Sequence, residues 1–177
     1  MIIEFNINGN GKFIVSNAFS EDDFDYYVNS DVFFEDLEKK TKVGTMNSFG
    51  VFSDLKEAIQ MVKLSEEVHE EFGLSYKYSK LLLDNFKRDV WENYDKIQKC
   101  ENYEIWLKDC FVWLYKKGLD FVIEVGVSCV EDESNFNLTD IELRNKIDVK
   151  FMLISEAELE LWEIECDKML SLIEKQT

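Results

Sequence analysis

The chain has 177 residues, of which 46% are hydrophobic, and its formal net charge is −17. This length suits a single domain, and the hydrophobic share is large enough to exclude a disordered chain despite the charge. A field of this sign repels nucleic acids and anionic membranes and attracts basic surfaces. No proline and only seven glycines are present, so no linker is evident, and we expect one domain over residues 1–177.

The sequence also favours an intracellular setting. It has no apolar run long enough for a transmembrane helix, and its N-terminus lacks the basic start and apolar stretch of a signal peptide. None of the four cysteines lies in a C-x-x-C pair, which favours free thiols in a reducing compartment. These are Cys100, Cys110, Cys129 and Cys166. We expect a cytoplasmic protein of a bacterial cell or a phage-infected host.

The N-terminal segment predicts a β-hairpin followed by short helices. Apolar residues alternate over residues 1–7, an Asn-Gly-Asn-Gly turn follows, and residues 12–16 return as a second strand. Ser20 can cap one short helix, and Ser30 can cap another that runs to about Lys40. Lysines at the end of the second helix agree with the helix dipole.

The middle of the chain predicts three longer helices. A loop or short strand over residues 43–52 precedes the first, which begins at Ser53 and ends at Gly73. The second runs from Ser75 to about Lys99. The third covers residues 103–117, where apolar residues recur at helical spacing.

The last third predicts two strands and a final helix. Residues 119–130 and 147–154 are apolar and rich in β-branched residues, and an acidic loop joins them. Ser155 and Glu158 form a capping box for a helix to about Lys175. We therefore expect an α+β fold with an N-terminal hairpin, a helical middle, a C-terminal antiparallel strand pair and a long final helix. The hairpin and the late strands can join one antiparallel sheet.

The C-terminal helix also carries a row of carboxylates. Glu156, Glu160, Glu163 and Asp167 fall on one face, with successive rises of about 6, 4.5 and 6 Å. This spacing roughly resembles that of charges along a nucleic-acid backbone, although an ordinary solvated face is the simpler interpretation. Two further acidic clusters are candidate partner-binding residues: Glu21, Asp22 and Asp23, and Glu131, Asp132 and Glu133.

Aromatic residues crowd the middle of the chain. Most are expected in the core, but a few can serve as hot spots inside a charged rim. The candidates for exposure are Tyr76, Trp91, Tyr94 and Tyr115.

An enzymatic alternative rests on Asp148-Val149-Lys150. On a strand, this triplet matches the D/E-x-K element of metal-dependent nucleases, in which a carboxylate binds the cation and the lysine positions water. Residues 119–160 thereby resemble the restriction-endonuclease-type core. The resemblance implies an upstream acid, for which Asp120 or Glu124 could serve. The negative field opposes a polyanionic substrate, and no later strand completes that family's sheet.

Other catalytic and cofactor motifs are missing. His69 is the only histidine, which excludes H-E-x-x-H zinc chemistry, and no phosphate-binding glycine loop occurs. We therefore expect no cofactor or metal and a non-catalytic inhibitor whose acidic surface occupies the basic, nucleic-acid-binding surface of a target protein. Phage anti-defence proteins, including anti-CRISPR nucleic-acid mimics, have this general character. An immunity protein that neutralises a cognate nuclease toxin is the closest alternative, and the D-x-K nuclease is the second.

Overall fold

The computed structural model describes residues 1–17, 28–65, 73–88, 94–107, 109–127 and 137–175. These residues form two four-stranded antiparallel sheets and five helices. The first sheet is made by the N-terminal quarter of the chain, three helices follow, and the second sheet is completed just before the last helix. The predicted α+β fold is confirmed.

The first sheet begins with the predicted hairpin. Strands β1 (Ile2–Ile7) and β2 (Gly11–Asn17) pair with Phe5 opposite Phe13. Asn8 and Gly9 have φ angles of 45° and 68°, a left-handed conformation that Asn and Gly adopt more readily than other residues.

The short helix predicted from Ser30 is wrong. The chain instead forms β3 (Asn29–Glu35) and β4 (Lys40–Asn47), which complete the sheet in the order β1-β2-β3-β4. Asp36 determines the turn between them, because its carboxylate accepts hydrogen bonds from the backbone N–H groups of Glu38 and Lys39 at 2.8 and 2.9 Å. The helix predicted from Ser20 lies outside the described residues.

The helical middle is confirmed, with different boundaries. Helix α1 (Ser48–Leu64) begins five residues before the predicted start, because Asn47 caps it by accepting a hydrogen bond from Gly50 N at 2.6 Å. The segment of the second predicted helix, Ser75 to about Lys99, contains two described helices, α2 (Leu74–Arg88) and α3 (Tyr94–Glu101). The predicted apolar residues of α1, namely Leu55, Ile59 and Val62, are all buried.

The third predicted helix, over residues 103–117, is wrong. This segment forms β5 (Glu104–Leu107) and β6 (Cys110–Lys117), which pair with each other. They continue into β7 (Asp120–Val127) and β8 (Lys150–Ile154), the predicted C-terminal strand pair. The strand order β5-β6-β7-β8 makes a second sheet, so the hairpin and the late strands belong to different sheets.

The segment before β8 contains a helix that the sequence did not reveal. Helix α4 (Asp140–Ile147) has a capping box formed by Thr139 and Glu142 and ends at Asp148. The last helix, α5 (Glu156–Glu174), has the predicted capping box of Ser155 and Glu158. Its predicted apolar stripe is confirmed, since Leu159, Trp162, Cys166, Met169 and Ile173 are buried.

Both faces of the second sheet are covered. Cys110, Val112 and Leu114 of β6 contact a core that also includes residues of the first sheet, α1 and α5. The alternate residues of the same strand, Phe111, Trp113 and Tyr115, belong to a separate cluster with α2 and α3. A strand buried on both faces is apolar throughout, which explains why β6 shows no alternation in sequence.

Among the described helices, none is both long and apolar enough to cross a membrane.

Candidate partner-binding surface

The carboxylate row on α5 is only partly available to a partner. Glu163 accepts hydrogen bonds from Gln60 Nε2 at 2.9 Å and from Lys63 Nζ at 3.0 Å, and Asp167 pairs with Lys56 Nζ at 2.5 Å. The hydrogen bonds from Gln60 and then Lys63 hold the pKa of Glu163 below its usual value. Two of the four predicted carboxylates therefore contact α1.

The other two members of the row, Glu156 and Glu160, are exposed. Their charges help to raise the pKa of Lys63, although its hydrogen bond to Glu163 is the larger cause. They remain candidates for partner contact. The candidates Glu21, Asp22 and Asp23, and likewise Glu131, Asp132 and Glu133, lie outside the described residues.

Charges are segregated along α1, which explains this arrangement. Lys56, Gln60 and Lys63 are spaced by four and three residues, so they share one edge of the helix, and this edge meets α5. Asp54 and Glu57 lie on another side of the helix, toward β5. The basic residues of α1 thus neutralise Glu163 and Asp167 of α5, whereas the acidic residues of α1 add to the negative charge near β5.

Two adjoining grooves between α1, α3, β4 and β5 are lined by acidic residues. The first, of about 380 Å³, is lined by Asp54, Glu57, Glu101 and Glu104 together with apolar residues and Asn102. The second, of about 430 Å³, shares Asp54 and Glu104 and reaches the end of β4. No described residue that lines either groove is basic. We call this pair of grooves the acidic groove.

Glu104 has a perturbed carboxyl group in the acidic groove. Burial raises its pKa to about 7, and the negative charges of Glu101 and Asp54 act in the same direction. A cation in the groove would favour the ionised form of Glu104. Sequence reasoning missed this residue because residues 103–117 were expected to form a helix; the dense aromatic and β-branched residues after Glu104 were the available strand signal.

The candidate exposed aromatics have different outcomes. Tyr94 is 61% exposed, as predicted, and Tyr76 is half-buried. Tyr115 is fully buried, so the prediction that it could be exposed is wrong. Trp91 lies outside the described residues.

The structure does not assemble the predicted D-x-K site. Asp148 is not on a strand: it ends α4 with a φ of 45° and pairs with Lys39 at 3.2 Å. Lys150 pairs with Glu38 at 3.2 Å and with Asp36 at 3.7 Å. Asp120 begins β7, while Lys150 pairs with Val125 near the other end of that strand. The ion pairs of Lys39 and Lys150 link the β3–β4 turn to the segment around β8.

Glu124, the alternative upstream acid, has a structural role. Its carboxylate is buried and accepts hydrogen bonds from the backbone N–H groups of Gly73, Leu74 and Ser75 at 2.9, 3.1 and 2.7 Å. The hydroxyl of Tyr115 donates to it at 2.7 Å. Burial and the charge of Glu124 raise the pKa of Tyr115 far above its ordinary value. With its oxygens engaged, Glu124 caps the start of α2.

The described residues contain no cluster suited to a metal ion, and their cysteines are buried. Within the described ranges, no group of three or more His, Cys, Asp or Glu residues is arranged to hold a metal ion. Cys100, Cys110 and Cys166 are free and buried. Burial raises the pKa of Cys110 to about 11 and that of Cys166 to about 12, so these thiols stay protonated at neutral pH. Cys129 and His69 lie outside the described residues.

Comparison with protein-family models, with characterised proteins and with solved structures finds no match for this chain.

Proposed function

We propose that this protein is a non-catalytic acidic inhibitor that binds the basic, nucleic-acid-binding surface of a target protein. The observation that supports this proposal best is the acidic groove, where four carboxylates line a concave surface and no described lining residue is basic. A net charge of −17 adds long-range attraction to a cationic partner. The target class is a nucleic-acid-binding enzyme such as a defence nuclease, which the bound inhibitor would keep from its substrate in the cytoplasm.

Several contacts support a binding role over a catalytic one. Asp148 and Lys150 form ion pairs with Lys39 and Glu38, and Asp120 begins β7 at the end away from Lys150. The exposed Glu156 and Glu160 offer additional negative charge on α5. Exposed carboxylates at the rim of an interface mainly increase the association rate and make it sensitive to salt.

The test is affinity capture of cationic proteins from a lysate of the native host, followed by displacement of labelled nucleic acid from the captured protein. Glu57→Lys should weaken capture and displacement by at least ~10-fold, because it reverses a charge inside the acidic groove. Asp120→Lys, which makes the same charge change at the β6–β7 turn, is the matched control and should have a smaller effect. Glu160→Lys tests the contribution of α5.

The outcomes separate the alternatives. A captured nuclease toxin encoded beside this protein would identify an immunity protein acting by the same electrostatics. Equal loss of binding in all three variants would show that net charge alone acts, with no defined site. Magnesium-dependent nucleolysis that disappears in Lys150→Ala would contradict the proposal.

A further inference from the structure

Another groove, separate from the acidic groove, lies between the outer edge of β1 and helix α5. Its volume is about 440 Å³, and Ile2, Leu161 and Ile164 contribute to its lining. These three side chains are 65%, 65% and 62% exposed. Several large apolar side chains exposed together mark an interaction surface more often than single ones do. We call this the edge groove.

The outer edge of β1 borders this groove. In the first sheet β1 has one strand neighbour, β2, and no described strand pairs with its other side. The indole N–H of Trp162, on α5, donates to the carbonyl of Asn6 at 2.9 Å. Backbone groups of an antiparallel strand alternate in direction, so those of Ile2 and Glu4 point the same way as the carbonyl of Asn6. An added strand could pair with them.

The charge at the rim indicates what kind of segment fits. Glu4, Glu158 and Glu165 line the edge groove, and no described lining residue is basic. Lys12 and Lys168 pair with two of these carboxylates from outside the groove, but exposed pairs of this kind are weak and exchangeable. A second copy of this chain would bring another charge of −17 to an acidic rim. A basic segment is therefore the favoured occupant.

We propose that the edge groove binds an extended segment of the basic partner, in which apolar and basic residues alternate, as an added strand on β1. This rests on the proposed function, since it assumes a cationic partner. Side chains alternate across a strand, so one set of the added residues would contact Leu161 and Ile164. The other set would lie beside Ile2 and Glu4, where a basic residue can pair with the carboxylate.

The direct test uses the full chain and a short peptide in which lysine and valine alternate. Binding is followed by fluorescence anisotropy and by NMR of the backbone amides. We expect Leu161→Asp to weaken binding by at least ~10-fold and the amides of Ile2 and Glu4 to shift. Leu64→Asp is the matched control, since Leu64 is an 82% exposed helical leucine at the end of α1, and it should change binding by less than ~2-fold.

Three results would overturn this proposal. A peptide with the same composition but with lysines and valines in separate blocks could bind equally well. This would show that the charge of the peptide determines binding and that the alternating pattern does not. The amide shifts could fall on the acidic groove instead of β1. A concentration-dependent dimer of this chain, abolished by Leu161→Asp, would assign the edge groove to a second copy.

The failure of this inference is distinguishable from failure of the proposed function. If Glu57→Lys weakens capture of the cationic target and Leu161→Asp does not, the inhibitor stands and the added strand does not. If no cationic target is captured but the alternating peptide binds the edge groove, the added strand is supported and the inhibitor function is contradicted.

Discussion

Replacing Glu104 with glutamine should stabilise the protein in a pH-dependent manner. Its pKa is about 7 in the folded chain, against 4.5 for an unperturbed group. Between these values the folded chain holds a proton that the unfolded chain has released, so stability falls as pH rises toward 7. The difference corresponds to about 3 kcal/mol. Partial exposure to solvent reduces the expected gain at pH 8 to about 1–2 kcal/mol.

Urea unfolding of the wild type and Glu104→Gln at pH 5 and pH 8 measures this effect. The variant should gain little at pH 5, where the folded wild type is already mostly protonated at Glu104, and most of the gain should develop by pH 8. Glu160→Gln is the control, because it removes one negative charge from an exposed position on α5. A gain equal to that of the control, or independent of pH, would refute the assignment of Glu104 as a partly buried acid that is costly to ionise.

Three further changes test the packing of the fold. Glu124→Gln should cost about 2–3 kcal/mol in urea unfolding, since the amide presents an N–H group to the N–H donors at the start of α2; a neutral effect would contradict its capping role. Ser155→Ala should cost about 1 kcal/mol through loss of the α5 capping box, whereas Ser155→Asp should preserve stability. Gly126→Ala should cost about 1–3 kcal/mol, because its Cβ would lie 2.6 Å from Ser75 Cβ; an unchanged thermal midpoint would show that α2 moves aside easily.

The sequence predicted secondary structure best where one face of a strand or helix is buried and the other is exposed to solvent. Residues 1–7 and the final helix show such patterns, and their boundaries agree with β1 and α5 to within one or two residues. Local cues such as the capping box of Ser155 added a second, independent signal.

The errors arose where burial on two faces removed the pattern. Apolar residues at Ile105, Trp106, Cys110, Trp113 and Leu114 satisfy a helical period, yet β5 and β6 place them in two different clusters. A continuous apolar run cannot separate a buried strand from a buried helix by periodicity. The β3–β4 turn was missed because Asp36 forms hydrogen bonds within a segment that has a plausible helix cap at Ser30.

The sequence predicted the negative charge of the candidate site but not the residues that form it. Net charge indicated a basic partner, but the distribution of that charge depends on which carboxylates find lysines in the fold. Glu163 and Asp167 do so through α1, whereas Glu104 comes close to Asp54 and Glu101. Such pairings between distant segments cannot be read from spacing along one helix.

The capping of α2 by Glu124 also predicts which end of that helix opens first. The first amides of a helix are ordinarily the quickest to exchange with solvent, because no preceding turn accepts their hydrogen bonds. Here the N–H groups of Gly73, Leu74 and Ser75 are bound by a carboxylate on the central strand β7. Exchange of these three amides requires their hydrogen bonds to Glu124 to break, so we expect α2 to unravel from its C-terminal end before its first turn is released.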